Sequence, residues 1–134
     1  MITGRCLCGD VRYELDGPIA FMNTCHCSIC RRITGTAYGV FAQARADGFR
    51  WIAGEERLRY YESSAGTRRS FCGRCGAKMP IVFADLGHVT IPAGTLDGDP
   101  GVRPAVHVHV ASKAPWFEIT DALPRRAAGP DDGG

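Results

Sequence analysis

Seven cysteines in three short clusters constrain this chain more than any other feature of its sequence. Their spacings are CxC, CxCxxC and CxxC, and the residues are Cys6, Cys8, Cys25, Cys27, Cys30, Cys72 and Cys75. Isolated buried thiols have no reason to cluster in this way, and an odd count leaves one cysteine outside any set of disulfides. Closely spaced cysteine pairs are typical of zinc ligands. The pattern therefore predicts metal binding rather than a disulfide framework or inert thiols.

The clusters divide into a set of four and a set of three. "RCLCGD" and "FCGRCGAK" each supply two thiolates, and the glycine after the second cysteine, such as Gly76, permits the positive φ that a metal-binding turn often needs. A structural zinc site takes four ligands, and a catalytic zinc takes three and keeps one position open. We therefore expect a closed site and an open site, with these ligands: Cys6, Cys8, Cys72 and Cys75 in the first; Cys25, Cys27 and Cys30 in the second.

Ligand counting leaves two alternatives open. "CHCSIC" can combine with Cys72 or Cys75, which would leave the N-terminal pair free. A histidine can also complete the three-cysteine set. His107 and His109 are spaced to lie on one face of a strand, whereas His26 stands between two ligands, so its ring is expected to point away from the metal.

The rest of the chain reads as a single β-rich domain. Short β-branched and aromatic runs, separated by glycine and proline, predict strands at "VRYEL", "AYGVFA", "FRWIA", "LRYYE", "RRSF", "MPIVF", "HVTIPAGTL" and "VHVHV". One short helix is expected from Ser28 to Thr34. The domain is predicted to span residues 1–126, and the polar tail 127–134 is predicted to be disordered.

Charge and hydropathy exclude several classes of function. The 134 residues carry a net charge of +2 and lack a basic run, which argues against nucleic-acid binding. No apolar stretch approaches the ~20 residues that span a bilayer, and the N-terminal residues lack the apolar core of a signal peptide. We therefore expect a cytoplasmic protein without a membrane partner. Nothing in the pattern predicts its oligomeric state.

Four segments resemble the glutathione-dependent formaldehyde-activating enzyme (GFA) family, also called the CENP-V domain family. They are "GRCLCGDVRYEL", "CHCSICRRITG", "SFCGRCGAKMP" and "HVASKAPWFEITDALPR", and the resemblance runs from about Gly4 to Arg125. It implies a mainly β, Mss4-like fold of several small coiled antiparallel sheets around a structural zinc site, with little helix. It also implies structural ligands at Cys6, Cys8, Cys72 and Cys75, and a second, catalytic zinc at Cys25, Cys27 and Cys30.

The family's reaction joins formaldehyde to glutathione and gives S-hydroxymethylglutathione. The resemblance thus implies a zinc-dependent carbon–sulfur lyase that acts on glutathione (thiol) adducts of small electrophiles and holds two zinc ions. Arg31 and Arg32 are predicted to offset the charge of the thiolates and to bind a glutathione carboxylate. Their alternative role is that of solvated helix residues. Trp116 is expected to pack in the core and Lys113 to be solvated.

Two other functions fit the same residues. A non-catalytic zinc-binding module for protein interaction would need only the closed site and an exposed apolar patch. A redox or zinc sensor would need labile metal and reversible oxidation at the three-cysteine cluster. No Asp, Glu or His stands out in the sequence as the proton donor or acceptor of an enzyme.

Overall fold

Short strands separated by tight turns make up most of the structure, a computed structural model that describes residues 1–129. Within these residues there are ten strands and one α-helix. The strands are β1 Ile2–Arg5, β2 Arg12–Leu15, β3 Ile19–Cys25, β4 Gly39–Arg45, β5 Phe49–Ala53, β6 Leu58–Ser64, β7 Thr67–Cys72, β8 Ile81–Phe83, β9 His88–Pro92 and β10 Pro104–Val108; the helix is α1 Ser28–Thr34.

The described strands form three small sheets. β1, β2 and β5 make one, β6 and β7 make a hairpin, and the largest has the order β10-β3-β4-β9-β8. This confirms the predicted mainly β fold of several small sheets with little helix. One feature was not predicted: β10 lies parallel to β3, while the other paired strands are antiparallel.

The core begins at β2, as the alternation of "VRYEL" predicts. Val11, Tyr13 and Leu15 are almost completely buried. The Tyr13 ring packs between Phe49 and Trp51, with ring centroids 5.4 and 6.2 Å away. Its hydroxyl lies 2.6 Å from the Thr95 hydroxyl, so the one polar atom of this buried side chain is satisfied.

Helix α1 occupies the predicted residues because both of its ends are capped. At the N-terminus, the Cys27 sulfur accepts a hydrogen bond from the backbone N–H of Cys30. At the C-terminus, Gly35 adopts the left-handed conformation (φ 67°), and its N–H bonds to the carbonyl of Arg31. The start of the helix therefore fixes the spacing between two cysteines of the second cluster.

The prediction of "VHVHV" as a regular strand was wrong at its end. β10 stops at Val108, because His109 adopts a left-handed backbone (φ 56°). The N–H of His109 then bonds to the carbonyl of Ala128, and the N–H of His107 bonds to the carbonyl of Pro124. A distant C-terminal segment therefore lies along β10 and bends the chain, so that His107 and His109 do not share a strand face.

Among residues 1–129, no helix is long and apolar enough to cross a membrane. The carbonyls of Ala127 and Ala128 accept hydrogen bonds from the segment after β10. Residues 130–134 of the predicted tail lie outside the described residues. The domain boundary at residue 126 stays a prediction.

Candidate metal centres and the cavity beside them

Four cysteines converge where the β1–β2 turn meets the end of β7. Their sulfurs all lie within 4.8 Å of one another, and the residues are Cys6, Cys8, Cys72 and Cys75. The Cys6–Cys8 sulfur distance is 3.6 Å, and the Cys8–Cys72 distance is 3.9 Å. A tetrahedron with zinc–sulfur bonds of about 2.3 Å has edges of about 3.8 Å, whereas a disulfide bond is about 2.0 Å long. This donor set fits a zinc ion and does not form disulfides.

Backbone N–H groups point at these sulfurs. Val11 donates to the Cys6 sulfur over 3.3 Å, and Arg74 donates to the Cys72 sulfur over 3.4 Å. Burial alone would raise the pKa of Cys75, but backbone N–H donors and the neighbouring thiols lower it to about 6. Gly76 has the positive φ, 79°, that its position in the sequence predicts. The neighbouring thiols have the opposite effect on Cys8, whose pKa they raise to about 11, so without a metal ion the cluster shares protons among its sulfurs.

The remaining three cysteines converge at the start of α1. Cys25 ends β3, Cys27 caps the helix and Cys30 lies in its first turn; their sulfurs lie within 4.8 Å of one another. A hydrogen bond from Cys30 is the main cause that lowers the pKa of Cys25 to about 6, and the same contact raises the pKa of Cys30. The cluster therefore readily loses a first proton and holds a second proton between two sulfurs.

The distances between the sulfur atoms divide the cysteines into a group of four and a group of three. The alternative that combined "CHCSIC" with Cys72 or Cys75 does not match this placement, because these two residues lie with Cys6 and Cys8. Among residues 1–129, no histidine joins either group. Whether the two groups act as metal ligands stays a prediction.

His26 lies in a chain of polar groups that runs from the buried His26 and His107 to the exposed Asp121, and not in either cluster. Its Nε2 is 2.8 Å from Nδ1 of His107, and Nε2 of His107 is 3.0 Å from the Asp121 carboxylate. Burial lowers the pKa of His26 to about 4, so its ring is neutral at pH 7. If His107 donates to Asp121, its Nδ1 accepts a hydrogen bond from His26. This chain holds the ring through Nε2, while Nδ1 is buried without a partner among the described residues. That the ring points away from a bound metal stays a prediction.

A cavity of about 240 Å³ opens beside the three-cysteine cluster. Cys25 and Cys30 form part of its wall, together with Asn23, Phe41, Gln43, Thr67, Arg69, Ile81, Phe83, Thr90, Val108 and His109. It is therefore built from α1, from β3, β4, β7, β8, β9 and β10, and from the bend after β10. The concave space that an open metal site requires is present.

Asn23 is the least satisfied polar side chain of this cavity. It is only 8% exposed, and its Oδ1 has no hydrogen-bond partner among the described residues. By contrast, Gln43 Oε1 accepts a hydrogen bond from the Thr90 hydroxyl over 2.8 Å. An unpaired buried carbonyl costs about 1–3 kcal/mol, which a bound hydrogen-bond donor would recover. Asn23 therefore offers a specific contact to a ligand.

The two arginines after Cys30 lie outside this wall. Arg31 and Arg32 occupy the last turn of α1, where cations interact favourably with the helix dipole. Neither lines the 240 Å³ cavity. The Nε atom of Arg31 is nevertheless buried without a described partner. Their predicted role in binding a carboxylate stays a prediction.

Two expectations for "KAPWF" were wrong. Trp116 is 70% exposed, because the chain turns at this point and presents the ring to solvent. Lys113 is partly buried, and its ammonium donates to the carbonyls of Ala114 and Phe117, so it stabilises this turn. Neither residue lines the cavity beside the cysteines.

Sequence reasoning missed Asn23, Arg69 and Lys78. Asn23 precedes the second cluster by two residues, and Lys78 follows the CxxCG motif closely, so proximity to a cysteine motif was the one available signal. Burial lowers the pKa of Lys78 to about 8, with a further contribution from Arg69, while the Cys30 thiolate acts in the opposite direction. Lys78 is thus placed within electrostatic reach of the three-cysteine cluster.

Comparison with known proteins identifies the family. A family model described as glutathione-dependent formaldehyde-activating enzyme matches residues 1–112. A Halomonas elongata protein provisionally named as such an enzyme is 29% identical over 128 residues, covering 89% of this chain and 81% of its own length. A Colletotrichum graminicola protein with the same provisional name is 32% identical over 99 residues, covering 66% of this chain and 52% of its own length.

A solved structure supports the same assignment at the level of the fold. The crystal structure of a Rhodobacter sphaeroides protein superposes with a TM-score of 0.61 and 26% sequence identity. The match covers 74% of this chain and 91% of that protein. Together with the family-model match over most of the sequence, it shows that the chain belongs to the glutathione-dependent formaldehyde-activating enzyme family.

Proposed function

We propose that this chain is a zinc-dependent enzyme of the carbon–sulfur lyase type that forms or cleaves thiol adducts of small electrophiles. Glutathione is the proposed thiol, and formaldehyde is one electrophile, as the description of the family model suggests. The observation that carries the proposal is the three-cysteine cluster at the wall of a 240 Å³ cavity. Cys6 of the four-cysteine cluster also borders a cavity, but four sulfurs would leave no ligand position open there, whereas three would.

The two cysteine clusters have different proposed roles. The four-cysteine cluster holds a structural ion that joins the β1–β2 turn to the end of β7. The three-cysteine cluster, Cys25, Cys27 and Cys30, binds a second ion. Cys25, Cys27 and Cys30 would hold a zinc ion with three protein ligands, and the ion would supply Lewis-acid charge that favours the thiolate form of a substrate thiol.

The thiol and the carbonyl compound together supply every atom and the proton of the adduct, so the proposed reaction needs no oxidant or reductant. In the forming direction, the thiol sulfur bonds to the carbonyl carbon and the carbon–oxygen π bond breaks. The proton that the thiol releases ends on the carbonyl oxygen, which gives an S-hydroxymethyl group when the electrophile is formaldehyde. Cleavage runs through the same bonds in reverse.

Residues of the cavity wall would orient the adduct. Asn23 Oδ1, buried and unpaired, accepts a hydrogen bond from the adduct hydroxyl or from a substrate amide. The His109 ring also lines the cavity and lies near enough to Cys25 to act on it electrostatically. From this position in the wall, an N–H of His109 would donate a hydrogen bond to the oxygen on which charge develops.

The test compares adduct formation and cleavage by the wild type, by Cys27→Ala and in buffer alone. The spontaneous reaction is subtracted, and the zinc content of each protein is measured. We expect turnover by the wild type and only the spontaneous rate with Cys27→Ala. Equal rates in all three, across a panel of carbonyl electrophiles, would contradict the enzyme and favour the non-catalytic zinc-binding module.

A further inference from the structure

Two cations stand close together beside the three-cysteine cluster. Arg69 lies on β7 and lines the cavity that also contains Cys25 and Cys30. Lys78 forms an isolated β-bridge with Phe71, two residues beyond Arg69 on the same strand. Because side chains two residues apart lie on one face of a strand, the bridge brings Lys78 toward Arg69.

Lys78 lines a second cavity, of about 470 Å³, that adjoins the first. Phe41 is part of both walls, so the two cavities are neighbours that share this residue. Gly39 also lines the second cavity, and a Cβ placed there would lie 3.6 Å from Cβ of Cys30. Arg69 therefore lines the cavity that contains Cys25 and Cys30, and Lys78 lines the neighbouring cavity.

Neither cation has an acidic partner among the described residues. The ion pairs of residues 1–129 involve other side chains, and the Lys78 ammonium makes no hydrogen bond to any of these residues. Arg69 uses its Nε to donate to the Ser63 hydroxyl over 2.7 Å, which orients the guanidinium and leaves its terminal nitrogens without a described acceptor. Both side chains are partly buried.

Two adjacent cations repel each other, and partial burial increases the repulsion. The Cys30 thiolate offsets part of this effect on the pKa of Lys78, but not all of it. The lowered pKa of Lys78, caused first by burial and then by Arg69, reflects this unfavourable environment. An anion bound between them would relieve it. A planar carboxylate suits this pair, since a guanidinium donates in a fixed fork and an ammonium donates as a point charge.

We infer that Arg69 and Lys78 form a carboxylate-binding subsite, which holds a carboxylate-bearing thiol while its sulfur reaches Cys25, Cys27 and Cys30. The inference rests on the proposed function and names the substrate class of the same site. It gives Arg69 and Lys78 the role that the sequence predicted for Arg31 and Arg32. Glutathione, which carries two carboxylates, meets the requirement, whereas its diester does not.

The experiment measures binding and turnover with glutathione and with glutathione diethyl ester. The zinc-loaded proteins are the wild type, Lys78→Met and Arg69→Gln. Arg68→Gln is the matched control, because Arg68 is the neighbouring residue on β7, is exposed and stacks over the Tyr60 ring outside this cavity. Binding is measured by calorimetry, turnover by steady-state kinetics, and folding by circular dichroism with zinc analysis.

We expect Lys78→Met and Arg69→Gln each to weaken glutathione binding, and to raise its KM, by about tenfold or more, as is typical for loss of a charge-assisted contact. Their affinity for the diester should equal that of the wild type, and Arg68→Gln should bind both thiols normally. Lys78→Met keeps the test valid if loss of the Ser63 contact unfolds Arg69→Gln.

The outcomes separate this inference from the proposed function. Selective loss of glutathione binding without turnover in any protein would support the subsite and contradict the enzyme. Turnover with unchanged glutathione affinity in Lys78→Met would overturn the subsite and leave the enzyme. Equal weakening for glutathione and its diester, or no glutathione binding by the wild type, would also overturn the subsite.

Discussion

Replacing Asn23 with leucine should make the protein more stable and impair its substrate binding. Leucine has the same branching at Cγ, so it fills the space of the amide without the unpaired Oδ1. Removing an orphan buried carbonyl recovers about 1–3 kcal/mol, because no partner is lost. The adjacent 240 Å³ cavity leaves room for the slightly larger side chain. For a chain of this length, the gain corresponds to a rise in Tm of roughly 3–10 °C.

The assay is thermal unfolding of zinc-loaded wild type and Asn23→Leu in the same buffer, followed by circular dichroism, with glutathione affinity measured in parallel. Gln43→Met is the matched control, because Gln43 lines the same cavity but accepts a hydrogen bond from Thr90. Gln43→Met should lower stability by about 0.5–1.5 kcal/mol, since it removes a made bond. Asn23→Leu should instead raise stability and weaken binding.

A lower Tm for Asn23→Leu would refute this reasoning. It would mean that the Asn23 amide contributes to the folded state by itself and is not held ready for a ligand. A higher Tm with unchanged affinity for glutathione would refute the second half, because Asn23 would then have no contact with the substrate.

Two further predictions concern stability. Cys72→Ser should give unfolded or insoluble protein, because a structural zinc contributes about 10–16 kcal/mol in small peptides and the net stability of a whole domain is about 5–15 kcal/mol. Cys30→Ser should instead give a folded protein with one zinc. Solubility, circular dichroism and metal analysis of the two variants would show the reverse if the two sites were exchanged. Burial raises the pKa of the Tyr13 hydroxyl to about 12, whereas in the unfolded chain it is about 10. Between pH 10 and pH 12 the unfolded state therefore binds fewer protons than the folded state, and the free energy of unfolding falls as pH rises. Denaturant titrations across pH 10–12 should show a shallower fall for Tyr13→Phe, and equal slopes for the two proteins would contradict the assignment.

Local pattern was sufficient to predict α1 and most of the strands. The helix was predictable because its cap, Cys27, and its C-terminal glycine, Gly35, lie within the motif itself. β5 was predictable because "FRWIA" is aromatic and β-branched and is bounded by turns. β1 and β3 were missed. β1 is four residues long and contains glycine, and β3 lies between β10 and β4, so burial interrupts its alternation.

The number of ligands that zinc takes predicted the division of the cysteines into four and three, although it left two alternatives open. The cavity could not be predicted in this way. Asn23 on β3 and Arg69 on β7 line the same cavity although they are far apart in the sequence, and Lys78 comes beside β7 only through its bridge to Phe71. The bend at His109 likewise depends on its bond to the carbonyl of Ala128, a residue far along the chain. Contacts of this kind leave no periodic signal in the sequence.

The central claim is that the three-cysteine cluster holds an ion with a position open to a thiol. Cobalt(II) substituted at this cluster, with zinc retained at the four-cysteine cluster, provides a visible spectrum that responds to a new thiolate ligand. We predict that glutathione changes the spectrum saturably, that glutathione disulfide leaves it unchanged, and that Cys30→Ser loses the response. An unchanged spectrum with glutathione and with other small thiols, in protein shown to contain cobalt at this cluster, would contradict the claim.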